Sequence, residues 1–370
     1  MTRHNPLLPD YQGANLAGLV PAFLARAGTR PDWVPEPARS AGQVVLLVVD
    51  GLGWLQWQDR LHLTPHLAGL RGGPITSVVP STTATALTSL TVGVPPARHG
   101  IVGYRIVVEG PTGREVMNVL RWKTVSGDAR GFVSPQKFQP LPPFQGHRVP
   151  VVSKSEFAGT GFTEAHQRDV PIAGWALASS LAVETGMLLQ AGEPFVYAYY
   201  EGLDKIAHIR GFGPHYDAEL IALDRIVGDL LDVLPAGAAL AVTADHGQVE
   251  VGARAELLDE RVLKEAVMVS GEARFRWLHT EPGASPDRLL DVARAVYSDQ
   301  AWVVTVEEME TEGWFGGALR PEVRARIGEV AIIPHEPVAY LDPADGGEAR
   351  LVCRHGSLTP EEMLVPFLAG

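Results

Sequence analysis

Val44-Val45-Leu46-Leu47-Val48-Val49-Asp50-Gly51-Leu52-Gly53 opens with an unbroken apolar run and stops at an acid followed by glycines. Apolar at every position rather than at alternate ones, the run reads as a buried parallel strand followed by a tight loop. Two other runs share the design. Phe195–Tyr200 is followed by Glu201-Gly202-Leu203-Asp204, and Ala238–Thr243 by Ala244-Asp245-His246-Gly247. Between these two, Leu220, Leu223, Ile226, Val227, Leu230 and Leu231 recur at helical spacing and predict a helix over Tyr216–Leu234. Strand, helix, strand is the βαβ pattern of an open α/β sheet. Ligands of such sheets bind beyond the carboxyl ends of the strands, which is where the polar clusters fall.

Outward from these strands the texture changes. Residues 1–42 are rich in Pro, Gly and Ala and are expected to wrap the core rather than build it. Residues 43–250 hold the predicted strands and form the first part of the core. From Val249 to about Arg350, Glu-rich helical pieces alternate with short strand-like runs, so 251–350 reads as an inserted cap. Residues 351–370 return to the core. There Thr359-Pro360-Glu361-Glu362 has capping-box spacing with Pro at the first helical position. Pro366, inside the last apolar run, predicts an edge strand or a loop, because proline cannot donate to a sheet.

The 370 residues are 46% hydrophobic and 20% charged, ample for a large core. A formal net charge of -12 argues against nucleic-acid binding, which needs a Lys/Arg footprint. It is compatible with a small phosphate-bearing substrate when bound cations supply the positive charge. Cys353 is the single cysteine, so no intramolecular disulfide can form and a reducing compartment is expected. Met1–Asp10 has no apolar core of signal-peptide length, and no apolar run is long enough to span a membrane. The expectation is a cytoplasmic protein with no membrane partner; oligomeric state is left open.

Asp50, Asp204, Asp245 and His246 stand at or just past strand ends, and His208 lies four residues after Asp204, on the same face of a helix starting there. His355 precedes a glycine after another short strand. Taken singly these are ordinary: an Asp-Gly after a strand is usually a turn. Taken together they place six Asp/His ligands at one end of one sheet, a set suited to zinc and also to manganese or iron. Ser81-Thr82-Thr83, ahead of the helix-compatible stretch Ala84–Leu90, supplies hydroxyls that serve either as helix caps or as a nucleophile activated by a metal.

These pieces resemble the type I phosphodiesterase/nucleotide pyrophosphatase family of the alkaline phosphatase superfamily. The resemblance rests on Val48-Val49-Asp50-Gly51, Pro80-Ser81-Thr82-Thr83, Pro95-Pro96-Ala97-Arg98-His99-Gly100, Asp204 and His208 with Gly213-Pro214, Thr243–Gly247, and His355-Gly356, in order. It implies an α/β sandwich of the alkaline-phosphatase type, with a mostly parallel central sheet, helices on both faces and an inserted cap. It implies two divalent metals, usually zinc, one held by Asp204, His208 and His355 and the other by Asp50, Asp245 and His246. Thr83 matches the nucleophile, with Thr82 the alternative if the register is off by one, and His99 matches a structural position. Water would then release the product from a covalent threonine intermediate. Two departures bear on substrate. Ala84-Thr85-Ala86 replaces the family's Phe-Pro-Asn, and Tyr104 stands where an Asn contacts a phosphate oxygen.

The expected function is hydrolysis of a phosphodiester or pyrophosphate bond in a small phosphoester or nucleotide-like substrate. The alternatives are a phosphomonoesterase, phosphonate or sulfate-ester hydrolase on the same metals, or a non-catalytic metal- or nucleotide-binding protein. A preference for diesters is expected because no Lys or Arg lies between Arg71 and Arg98, around the nucleophile; Lys205, Arg210 and Arg105 are the nearest exceptions.

Overall fold

The structure, a computed structural model, describes residues 5–344 and 350–370. Residues 1–4 of the expected wrapping segment and 345–349 of the expected insertion lie outside the described residues. The central sheet has seven strands: β1 Gln43–Val49, β2 Arg71–Thr76, β3 Val151–Lys154, β4 Ile172–Trp175, β5 Phe195–Tyr200, β6 Ala238–Thr243 and β7 Leu364–Ala369, in the order β2-β7-β6-β1-β5-β3-β4. β7 alone runs against the others. The three apolar runs read from sequence are β1, β5 and β6, the adjacent middle of this sheet. Val44 to Val49 are all fully buried, which is why their sequence does not alternate.

Two groups of helices flank the sheet. Helix Thr83–Val92 packs against the Leu16–Gly18 turn and helix Gly161–His166, and helix Pro214–Asp232 packs against Leu181–Gln190 and Gly202–Arg210. A second, four-stranded sheet is built from Met268–Glu272, Phe275–His279, Val330–Pro334 and Ala301–Thr305. The chain leaves toward it through Val249–Glu250 and returns through Cys353–Arg354, and these two segments pair antiparallel.

Three sequence expectations need correction. The N-terminal segment contributes Leu16, Leu19, Val20, Phe23, Val34 and Ala38 to the main core, so it builds as well as wraps. β7 is an interior strand despite Pro366. Gly370 exchanges both backbone bonds with Leu240, so alternate residues back to Pro366 face β6; Pro366 lies just beyond the last β6 pair, Thr243 with Phe367, where no donor is required. Thr359 leads helix Pro360–Met363 without a side-chain cap bond, because its hydroxyl donates to the Glu362 carboxylate, which Arg274 also holds, rather than accepting from a helix N–H. No helix among the described residues is long and apolar enough to cross a membrane.

Candidate active site

Three neighbouring strands deliver the acids. Parallel strands lie about 4.8 Å apart, so residues just past their carboxyl ends meet. Asp50 follows β1 and donates its backbone N–H to Tyr200 at the end of β5, 2.9 Å away. Asp204, on helix Gly202–Arg210, donates its backbone N–H to the Asp50 carbonyl (3.1 Å), and the Gly51 N–H reaches Asp245 Oδ1 (3.1 Å). Gly51 has φ +74°, and a Cβ there would fall 3.0 Å from the Asp204 backbone, so this turn requires glycine.

The histidines come from three different places with one orientation. His246 Nδ1 faces the Gly247 carbonyl (3.1 Å), His208 Nδ1 the Cys353 carbonyl (2.7 Å) and His355 Nδ1 the Ser81 carbonyl (3.0 Å). A carbonyl only accepts, so each Nδ1 carries the hydrogen and each Nε2 keeps its lone pair. Those lone pairs face carboxylates: His246 Nε2 lies 3.4 Å from both Asp50 and Asp245, and His208 Nε2 3.3 Å from Asp204. His355 Nε2 is 4.0 Å from Asp204, and its ring stacks on His246 at 3.5 Å.

Burial first, then the charges of Asp245 and Asp204, pushes the Asp50 carboxyl well above the usual range; burial likewise raises Asp204 and Asp245 and lowers His246 and His355. Asp50 Oδ1 and Asp245 Oδ2 are buried without a hydrogen-bond partner. Buried acids with two oxygens left without donors, and imidazole nitrogens converging on them, are what a cation satisfies. The ligand atoms of Asp50, Asp245 and His246 lie within 4.8 Å of one another, as do those of Asp204, His246 and His355. His246 thus stands between the two sets, and His208 joins through Asp204. The donor set fits divalent metals.

Thr83 is the first residue of helix Thr83–Val92, and its Oγ1 is 3.0 Å from His246 Nε2, to which it donates. Thr82 occupies the cap position but makes no side-chain cap bond. Ser81 is tied to the His355 loop by a bond from its backbone to Gly356 and one from its hydroxyl to Ser357. His99 is buried between Ser89 Oγ and the Ile101 N–H and lies apart from the acids. His279 is held by Ser270 and Arg114, and His215 is exposed; neither His279, His335 nor His215 belongs to either set of ligands.

A cavity of about 500 Å³ opens over Asp50, Thr83, Asp204, His208 and His355. Tyr104 lines it, and its hydroxyl accepts from Asn118 at 2.5 Å. The cations that line it are Arg121 and Arg354, not Lys205, Arg210 or Arg105; Lys205 and Arg210 are exposed and Arg105 pairs with Asp342. Arg354 lies outside the stretch around the nucleophile, and its one signal in the sequence is that it directly precedes His355. Tyr199, inside the apolar run of β5, donates its hydroxyl to Asp50 Oδ2, and Gln248 donates to Asp204 Oδ1 at 2.8 Å; neither carries a signal in the sequence alone.

A seven-stranded, mostly parallel sheet with acids and histidines past its central strands is the architecture of alkaline-phosphatase-like proteins, and solved structures of that kind share it. Murine ectonucleotide pyrophosphatase / phosphodiesterase 5, in an inactive form in complex with AMP, matches with TM-score 0.65 at 17% identity, over 88% of this chain and 87% of that one. Phosphonoacetate hydrolase from Sinorhizobium meliloti, in complex with phosphonoacetate, matches with TM-score 0.62 at 20% identity, over 93% and 92%. No curated protein sequence matches. The sequence profile of the type I phosphodiesterase / nucleotide pyrophosphatase family covers residues 44–358, and the chain belongs to that family. Membership supports a hydrolase of the phosphodiesterase or pyrophosphatase type.

Proposed function

We propose that this protein hydrolyses phosphodiester or pyrophosphate bonds through a covalent threonine intermediate, at a site holding two divalent metals. The observation that carries the reading is the Thr83 hydroxyl, at a helix start, 3.0 Å from His246 Nε2 in the cavity that the ligand set lines. Asp204, His208 and His355 would hold one ion and Asp50, Asp245 and His246 the other, probing zinc first and manganese or iron next. Such ions lower the pKa of a bound hydroxyl and offset charge on phosphoryl oxygens.

Thr83 Oγ attacks phosphorus in line, the P–O bond to the leaving group breaks, and water then cleaves the phosphothreonine and restores the hydroxyl. The N–H groups of the uncapped helix start face the phosphoryl oxygens. Tyr104, which lines the cavity and accepts from Asn118, would contact one of them through its hydroxyl. The 251–350 segment, which contributes Glu272 and Ala273 to the cavity wall, shapes substrate choice rather than the chemistry. Arg121 and Arg354 favour one other reading on the same machinery: a phosphonate or ester whose organic part carries its own anion, such as a carboxylate.

The test compares kcat/KM for bis(p-nitrophenyl) phosphate, a p-nitrophenyl nucleotide ester and p-nitrophenyl phosphate under one metal condition. We expect the diesters to lead. A clear advantage for p-nitrophenyl phosphate rejects the phosphodiesterase reading, and release of phosphate from phosphonoacetate instead selects the phosphonate one.

A further inference from the structure

In the buried set Asp50, Asp245 and His246, each acid has one carboxylate oxygen already taken. Asp245 Oδ1 accepts the backbone N–H of Gly51 (3.1 Å) and of His246 (3.0 Å). Asp50 Oδ2 accepts the Tyr199 hydroxyl. The oxygens left over, Asp50 Oδ1 and Asp245 Oδ2, are buried without a donor among the described residues, and both acids lie 3.4 Å from His246 Nε2 through them. Thr83 Oγ1, 3.0 Å from the same nitrogen, is the fourth atom of the group. The set therefore offers four single atoms rather than two chelating carboxylates.

Asp245 is restricted by backbone, but Asp50 depends on one side chain. Tyr199 lies opposite Val48 in the pairing of β5 with β1, and Asp50 is two residues further on, about 6.6 Å at the strand rise. Its phenol spans that step. The neighbouring tyrosines do not: Tyr200 points to the other face, where its hydroxyl bonds Glu219, and the buried Tyr197 hydroxyl has no hydrogen-bond partner among the described residues. The Tyr199 ring packs beside Phe157 with centroids 6.1 Å apart, a contact that phenylalanine would make equally well. Packing thus accounts for the ring, and only Asp50 accounts for the hydroxyl. The second set is not restricted in this way. Asp204 Oδ1 accepts from Gln248 (2.8 Å) and is also the oxygen that lies 3.3 Å from His208 Nε2, so neither oxygen is reserved.

A carboxylate with both oxygens free can chelate and fill two coordination positions, which suits the six-coordinate oxygen shell of manganese; single-atom ligands suit four-coordinate zinc. We infer that Tyr199 is a positioning residue: by holding Asp50 Oδ2 it confines Asp50 to one-oxygen ligation and makes the Asp50–Asp245–His246 site prefer a four-coordinate ion such as zinc to a six-coordinate one such as manganese. The inference rests on the two-metal part of the proposed reading and not on the substrate.

The experiment titrates metal-free protein with zinc and with manganese against a chromogenic chelator. Cobalt(II) is bound in parallel, since four-coordinate cobalt absorbs visible light strongly and six-coordinate cobalt weakly. In Tyr199→Phe we expect one of the two zinc equivalents to weaken while manganese binds as before, so that the zinc-to-manganese affinity ratio at that site falls about tenfold. The cobalt band should lose intensity at the same time. An unchanged ratio in Tyr199→Phe overturns the inference, even if both affinities fall together, because loss of structure weakens both metals alike. A wholly six-coordinate cobalt spectrum in the unaltered protein overturns it as well, and that measurement needs no variant to fold. Phosphoester turnover is assayed separately. A zinc preference that depends on Tyr199, without turnover of any phosphoester, removes the hydrolase reading and leaves Tyr199 its role; turnover with an unchanged ratio does the reverse.

Discussion

Arg274→Met should cost more than any other single change outside the ligand set. Arg274 sits in the turn between strands Met268–Glu272 and Phe275–His279 and is fully buried, as is Glu362. Its guanidinium bonds both Glu362 carboxylate oxygens at 2.7 Å and the carbonyls of Glu336 (2.8 Å), Val338 (2.7 Å) and Pro334 (3.2 Å). Glu362 also accepts from the Ser357 N–H (3.0 Å) and, through its backbone oxygen, from the Gly247 N–H (2.9 Å). Ser357 and Gly247 lie two and one residues past His355 and His246, so one ion pair braces both histidine loops against the second sheet. Removing the cation strands a buried carboxylate, a loss of about 3–5 kcal/mol. At a urea m-value of about 3 kcal/mol per M, the midpoint falls by roughly 1–1.7 M, read from tryptophan fluorescence. Zinc affinity, measured by chelator competition, should weaken about 10- to 100-fold. Arg274→Met with Glu362→Gln should regain at least half of the stability, because a neutral amide replaces the stranded charge and still accepts from Ser357. A midpoint shift below about 0.3 M for the single variant, or no recovery in the double, refutes this account of the brace.

The purified protein should carry close to two divalent ions per chain by elemental analysis, and Asp50→Ala or His355→Ala should each lose metal and activity together; a metal-free protein with full activity sinks the two-metal reading. Thr83→Ala should keep fold and metal while turnover drops by about 10³ or more, with Thr83→Ser partly active. Normal turnover by Thr83→Ala alongside loss in Thr82→Ala would move the nucleophile by one residue. Stability should fall as the solution is acidified. Buried His99 has its pKa pushed down to about 3, by burial first and by Arg326 second, against about 6.5 when unfolded, so the unfolded chain binds the extra proton between those values. The neutral-ring contribution is complete above pH 6.5 and declines by up to about 1.4 kcal/mol per pH unit below it. The difference between urea midpoints at pH 7 and 5 should therefore narrow in His99→Gln, and an unchanged difference would contradict the assignment.

Much of this was legible because burial and chemistry leave different marks along the chain. β1, β5 and β6 are apolar at every position because both faces are covered, and an acid directly after such a run has few reasons to be there except function. The 3.6-residue period likewise located helix Pro214–Asp232 within two residues at each end. What stayed hidden depends on pairing across distance. Pro366 looks forbidden to an interior strand until the pairing register puts it one place past the end of β6. Thr359 and Glu362 have capping-box spacing, but Arg274, 88 residues upstream of Glu362, holds the carboxylate, and the Thr359 hydroxyl donates to it instead of capping the helix. Tyr199 belongs to an apolar-looking strand, and only the register of β5 on β1, with Tyr199 opposite Val48, brings its hydroxyl to Asp50.

Pairing across distance also orients the histidines. The Nδ1 hydrogens of His208, His246 and His355 go to backbone carbonyls of Cys353, Gly247 and Ser81, not to side chains. Cys353 belongs to the segment paired with Val249–Glu250, and Ser81 is bridged to Gly356, so these carbonyls are fixed by strand pairing. A side-chain carboxylate in their place would add negative charge to a pocket that already buries Asp50, Asp204 and Asp245 and would raise the cost of burial further. Backbone carbonyls fix each tautomer with a dipole instead of a charge. The three aspartates therefore remain the sole acids among the ligand groups, and their uncompensated charge is left for cations to meet. Return of the chain beside Val249–Glu250, after the excursion through the second sheet, is what closes that arrangement: it delivers His355 and the Cys353 carbonyl together, each to a different histidine.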